Sequence, residues 1–110
     1  MRSIICAAML ALGTTAGGAQ TGNEMYQGCR LLSQHELPKT ITDALNAGFC
    51  AGLITAITDT HSLVCPPEGT NATQSAAILM RFMDEHPEIR HEDLYVLTVM
   101  ALQDAWPCKP

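Results

Sequence analysis

The sequence predicts an all-α protein, a small four-helix bundle stapled by two disulfides. Two observations predict it. Past an export leader, apolar residues recur at helical spacing in four segments divided by proline- and glycine-bearing turns, and none of the segments reads as a strand. The same stretch carries four cysteines, an even number in a small chain bound for an oxidising compartment.

A chain of 110 residues and 11.8 kDa holds one small domain at most. Its 47% apolar content is too high for a disordered segment. The net charge of −5 and pI near 5.1 argue against a phosphate-binding surface, so no nucleic-acid partner is expected.

The leader comes first. Met1, Arg2 and Ser3 form a short positive start, residues 4–12 an apolar core, and residues 13–19 a small-residue stretch ending in Gly17, Gly18 and Ala19. This pattern predicts a signal peptide over 1–19, cleaved after Ala19, and a mature domain over 20–110. The apolar core is too short to anchor the chain in a membrane. Cys6 lies inside it without the preceding small residue of a lipoprotein signal, and leaves with the leader. Loss of Arg2 leaves five basic against eleven acidic residues, a net charge of −6.

The elements follow in order. Residues 22–33 carry Met25, Cys29 and Leu32 at helical spacing; Asn23 can cap them, and Pro38 keeps residues 35–39 a linker. Residues 41–64 predict a long helix started by Thr40 or Thr42. Ala44, Ala47, Gly48, Ala51, Gly52 and Ala56 form a small-residue strip on it, with Leu45, Phe49, Leu53 and Ile57 opposite. Each glycine costs about 1 kcal/mol of helix propensity, so the strip is expected to pack backbone-close against a neighbour. The uncharged part, residues 44–57, is too short for a membrane span. Pro66, Pro67 and Gly69 make a rigid turn. Asn71 with Gln74 has capping-box spacing for a third helix over 72–85; Asn71-Ala72-Thr73 also spells a glycosylation acceptor. A fourth helix is expected from Pro87 or His91 to Trp106. It carries two apolar stripes, Leu94, Leu97, Ala101 and Ala105 on one side and Tyr95, Val99, Leu102 and Trp106 on the other. Two stripes suit a central helix or one that also meets a second subunit.

The bundle predicts its own bridges. Cysteine spacings of 21, 15 and 43 residues, without a Cys-x-x-Cys pair, match no zinc ribbon. Cys65 follows the second helix and Cys108 the fourth, two ends that share a pole in an up-down-up-down bundle. Cys29 and Cys50 lie at levels about 6 Å apart at ~1.5 Å per residue, which helix tilt absorbs. The pairs are therefore Cys29–Cys50 and Cys65–Cys108. Cys50–Cys65 would have to span ~20 Å against an allowed Cα separation below ~7 Å.

Catalytic and metal motifs are missing from the pattern. There is no Gly-x-Ser-x-Gly, His-Glu-x-x-His or phosphate-binding glycine loop, and every mature cysteine has a partner. No enzyme activity, cofactor or metal is expected. His61 and Cys65 have a spacing a metal could use, but the disulfide takes the cysteine. Asp84, Glu85, Glu88, Glu92 and Asp93 form an acidic run, read either as helix-end electrostatics or as a surface for a basic partner.

Four pieces in order carry a family resemblance. They are Gly48-Phe49-Cys50-Ala51-Gly52-Leu53-Ile54, Cys65-Pro66-Pro67-Glu68-Gly69 with Gln74, His86-Pro87 with His91, and Ala101-Leu102 leading to Trp106-Pro107-Cys108. Together they resemble the Rap/Tai immunity proteins of type VI secretion systems, with Leu53 where that family has an aromatic and with Asn71 and Thr73 altering the start of the third helix. The resemblance implies a periplasmic helical protein, often a homodimer, that binds a toxic effector. For amidase-directed members the effector is a papain-like enzyme that cuts peptidoglycan peptides. Other classes also remain: a periplasmic acid-stress chaperone, another exported helical binding protein, or an enzyme or metal protein using His61, His86 or His91.

A protein that plugs an enzyme cleft needs a preorganised protrusion, because ordering a loose loop on binding costs affinity. Pro66, Pro67, Glu68, Gly69 and Thr70, anchored by Cys65 and by the cap of the third helix, are the expected effector contact. An ordinary interhelical turn is the alternative. Tyr95, Val99 and Leu102 are the expected dimer interface.

Overall fold

The computed structural model describes residues 20–60 and 62–109. The leader over 1–19, with its cleavage site and Cys6, and the metal reading of His61 fall outside the described residues.

Four α-helices carry the fold: α1 Gly22–Ser33, α2 Ile41–Thr60, α3 Ala72–Glu85 and α4 Leu94–Ala105. Local side chains set each start. Thr21, not Asn23, caps α1, its hydroxyl accepting from the Glu24 N–H at 3.1 Å. Asn23 is already helical, and its N–H donates to the Arg90 carbonyl at 2.9 Å. Thr40 caps α2 through the Asp43 N–H at 3.0 Å. Asn71 caps α3 through the Gln74 N–H at 2.8 Å.

α1 ends at Ser33 as expected: Glu36 N–H donates to Leu31 O at 3.0 Å while His35 takes a left-handed φ of 54°, a Schellman closure with histidine where glycine is usual. Two other ends differ from expectation. α2 stops at Thr60 rather than at residue 64, because Val64 is drawn into an isolated bridge with Pro107 and buried at 3% exposure. α4 starts only at Leu94. Pro87–Ile89 form a short 3-10 turn, and the Asp93 carboxylate takes the Tyr95 N–H at 3.0 Å.

α1 packs along both α2 and α3, and α4 lies mainly on α3. Met25, Cys29, Cys50, Ile54, Leu79, Met83, Leu94 and Leu97 fill the core, with Ile57, Val64 and Leu102 in a second cluster. The Cys29–Cys50 bridge lies fully buried in the first cluster, with a Cα separation of 5.5 Å. Cys65–Cys108 closes the other pair at 5.0 Å. Both pairings agree with the register expected from helix levels.

The small-residue strip of α2 does not pack as expected. Gly48 and Gly52 are exposed, and a Cβ on either would meet nothing within 4 Å. Cys50 sets this rotation. Two positions along a helix turn ~200°, so pointing Cys50 at α1 turns Gly48 and Gly52 to the outside. The buried side of α2 is Cys50, Ile54 and Ile57, and the expected large-residue face is divided: Leu53 packs inward while Leu45 stays 68% and Phe49 46% exposed. The close approach is made from the other helix, at Gly28 of α1. A Cβ there would lie 2.6 Å from Asn46 Cβ and 2.7 Å from its carbonyl carbon.

α4 is corrected too. It is neither central nor divided into two stripes as expected. Leu94, Leu97, Thr98, Ala101 and Leu102 form one continuous buried face. The Thr98 hydroxyl is satisfied by the Leu94 carbonyl at 2.7 Å.

The turn before α4 is held by Arg90. Its Nε donates to the Met83 carbonyl at 2.8 Å, Nη2 meets Asp84 Oδ1 at 3.3 Å, and its guanidinium lies 4.8 Å from the Tyr26 ring centroid. Tyr26 in turn donates to Asp84 Oδ1 at 2.6 Å. That hydrogen bond, followed by partial desolvation and the Asp84 charge, raises the Tyr26 pKa above its ordinary 10.0. The folded state therefore holds the phenol proton more tightly than the unfolded chain. This contribution to stability is complete below pH ~10 and is lost as pH rises through the raised value.

Two predictions follow from these contacts. Gly28→Ala should destabilise the protein by about 1–3 kcal/mol through overpacking against the α2 backbone, whereas Gly48→Ala should stabilise it by up to about 1 kcal/mol; urea unfolding of dilute protein reads both. In an alkaline absorbance titration, Tyr26 should ionise above pH ~10, and Asp84→Ala should bring that step back toward the ordinary value.

Candidate functional site

The loop between α2 and α3 is fixed at both ends. At its start Val64 pairs with Pro107, the Cys65 N–H donates to the Trp106 carbonyl at 2.9 Å, and Cys65 is bonded to Cys108. At its end Asn71 caps α3. Between these anchors, Thr70 N–H closes on the Pro67 carbonyl at 3.4 Å, and Gly69 holds a left-handed φ of 88° that a side chain would resist. Pro67, Glu68 and Gly69 are exposed; Pro66 and Thr70 are partly buried at the base. The Glu68 carboxylate has no ion-pair partner among the described residues. All five expected contact residues thus lie in one tight turn, with the Glu68 carboxylate on its exposed part.

Beside it lies an element that the sequence did not reveal. An open cleft of about 550 Å³ is lined by Phe82, His86, Met100, Gln103, Asp104 and Pro107. Pro107 belongs both to this cleft and to the bridge that anchors the loop. The sequence signal was Met100, an apolar residue outside both predicted stripes of α4; it is 44% exposed.

The acidic run is mostly occupied with local contacts. Asp84 accepts from Tyr26 and Arg90, Asp93 caps α4, and Glu92 lies 3.6 Å from His91. Glu88 is 3.4 Å from His86 Nδ1. Its own backbone N–H first, and His86 second among the favourable contacts, lower its carboxyl pKa below the ordinary 4.5. Local contacts thus engage these four acids; Glu85 is exposed.

The three residues expected at a dimer interface do not share one free face. Tyr95 is 47% exposed and Val99 partly buried, but Leu102 is fully buried against Ile57 and Val64 of the same chain. Leu102 is a core residue, placed there because Val64 leaves α2 and folds back toward Pro107.

The four described cysteines are in disulfides. His86 and His91 each face one surface carboxylate, and no group of three metal-ligating side chains occurs among the described residues. α2 is long and apolar enough to cross a membrane by length and composition. Its Cys50 is nevertheless bonded into the core, and Asp43 and Asp59 lie within it.

No curated protein and no solved structure matches the chain. A model of the Rap1a immunity proteins does, over residues 21–108. The match begins at the cap of α1 and ends at the cysteine that anchors the loop, so it takes in all four helices and both bridges. The chain belongs to the Rap1a immunity protein family.

Proposed function

We propose that the mature chain acts in the periplasm, where it binds a cognate type VI secretion effector of the peptidoglycan-amidase class and blocks its cleft. The observation that carries this reading is the doubly anchored loop. Pro66, Pro67, Glu68, Gly69 and Thr70 are preorganised by the Cys65–Cys108 bridge at one end and the Asn71 cap at the other. A loop held in this way loses little conformational freedom on entering a cleft, so more of its contact energy goes into affinity. Glu68, exposed on the turn, supplies a carboxylate for hydrogen-bond donors or cations in that cleft. The two bridges and the predicted leader support action outside the cytoplasm, where disulfides persist. The protein works in this reading by occupancy and not by catalysis.

Inhibition of the cognate effector tests it. Replacing Glu68 and Thr70 together by alanine should weaken inhibition at least tenfold, ~1.4 kcal/mol of affinity, with the thermal midpoint nearly unchanged because both lie outside the core. Full inhibition by that variant would remove the loop from the interface.

A further inference from the structure

The two bridges differ in accessibility. Cys29 and Cys50 are each 0% exposed and lie in the main core cluster with Met25, Ile54 and Leu79. Cys65 is exposed and Cys108 half-buried. Thiol–disulfide exchange needs an attacking thiolate to reach one of the two sulfurs, so access governs its rate. A thiol can approach Cys65 in the folded protein. It can approach Cys29–Cys50 only when α1 and α2 part, which requires the core to open.

We propose that Cys65–Cys108 is a thiol-exchange site, opened by a dithiol while the bundle stays folded, and that its state controls the loop it anchors. A thiolate of the dithiol attacks Cys65 Sγ, on the more exposed residue. Its sulfur bonds to Cys65, the Cys65–Cys108 bond breaks, and the electron pair leaves on Cys108 Sγ, which takes a proton from water. Lys109, next in the chain and exposed, favours that departing thiolate by its charge. The second thiol of the reagent, once deprotonated, bonds to the first and releases Cys65 as a thiolate, which is protonated in turn. The dithiol gives up two electrons and two protons and ends as a disulfide. Cys65 and Cys108 gain both and end as thiols.

Opening frees one anchor without dismantling the fold. Cys29–Cys50 still ties α1 to α2, and Asn71 still caps α3. The Val64–Pro107 bridge and the hydrogen bond from Cys65 N–H to the Trp106 carbonyl lose the covalent link beside them. The chain from Val64 to Thr70 gains freedom, and ordering it again on binding costs affinity. The bond also closes a span of 43 residues, against 21 for the buried bridge, so its loss releases the larger share of the constraint on the unfolded chain. The effect on inhibition rests on the loop reading above; the exchange site itself does not.

Graded reduction of the mature, disulfide-bonded protein by dithiothreitol tests it, with iodoacetamide trapping and peptide mapping over time. Cys65 and Cys108 should be alkylated about tenfold faster than Cys29 and Cys50, or more. Mild urea should speed only the second pair, since only that pair waits for the core to open. The species opened at Cys65–Cys108 alone should keep its far-ultraviolet helical signal and melt about 10 °C lower or more. It should inhibit the cognate effector about fivefold less well or more, and reoxidation should restore inhibition. Cys65→Ser with Cys108→Ser should match that species with or without dithiothreitol. If that variant fails to fold, graded reduction carries the test alone. Opening of both bridges together, or of Cys29–Cys50 first, overturns the exchange site. A singly opened protein that inhibits fully overturns its control of the loop. The order of opening is read with no effector present, so failure of the proposed function, seen as full inhibition by the Glu68 and Thr70 variant, is a separate result.

Discussion

The buried bond between Cys29 and Cys50 ties α1 to α2 within the core, and the orientation of α2 follows from that tie. With Cys50 directed at α1, Ile54 and Ile57 follow it inward at helical spacing, and the glycines two positions to either side go outward. Gly28, next to Cys29, then has to admit the α2 backbone at Asn46 and Ala47. Closing the loop of 21 residues also restricts the unfolded chain, worth about 3 kcal/mol on a chain-entropy account. For a domain this small that is a substantial share of net stability.

The second bridge acts at a different place. Cys65–Cys108 lies toward the surface and joins the tail after α4 to the start of the exposed loop. The Val64–Pro107 pairing and the Cys65–Trp106 hydrogen bond run alongside it. The loop is thus attached to the same strapping that draws Leu102 into the core. Near the other end of α4, the start of α1 is fastened to the turn before that helix. Gly22 and Asn23 donate to the Glu92 and Arg90 carbonyls, and Leu94 donates to Gln20. Arg90 continues the tie to α3 through Met83 and Asp84. α4 has limited contact with α1 and α2 along its length, and these attachments near its ends position it.

These constraints place functionally suggestive surfaces outside the core. The loop is exposed between its anchors, the Phe82–Met100 cleft opens beside Pro107, and the apolar side of α2 faces away from α1. Each rests on a rigid support, which suits recognition because little order has to be gained on binding.

The sequence by itself determined the number and order of the helices, the cap at Asn71, both cysteine pairings and the family, and it narrowed the cap of α2 to Thr40 or Thr42. These rest on local chemistry or on spacing along one axis: a cap needs an acceptor three residues before a donor, and a bridge needs two cysteines at one level. The anchored loop was legible for the same reason, since prolines, a glycine, a cysteine and a cap act over a few residues. Helix rotation was not legible. α2 and α4 have apolar residues around most of their circumference, so no single stripe announces an inner face, and the small residues of α2, read as a packing strip, include glycines that the structure leaves bare. Tertiary contacts decided between them. The bond at Cys50 exposed Gly48, Leu45 and Phe49, and the return of Val64 to Pro107 buried Leu102. A helix's rotation is set by what its neighbours offer, and that information lies in residues distant along the chain.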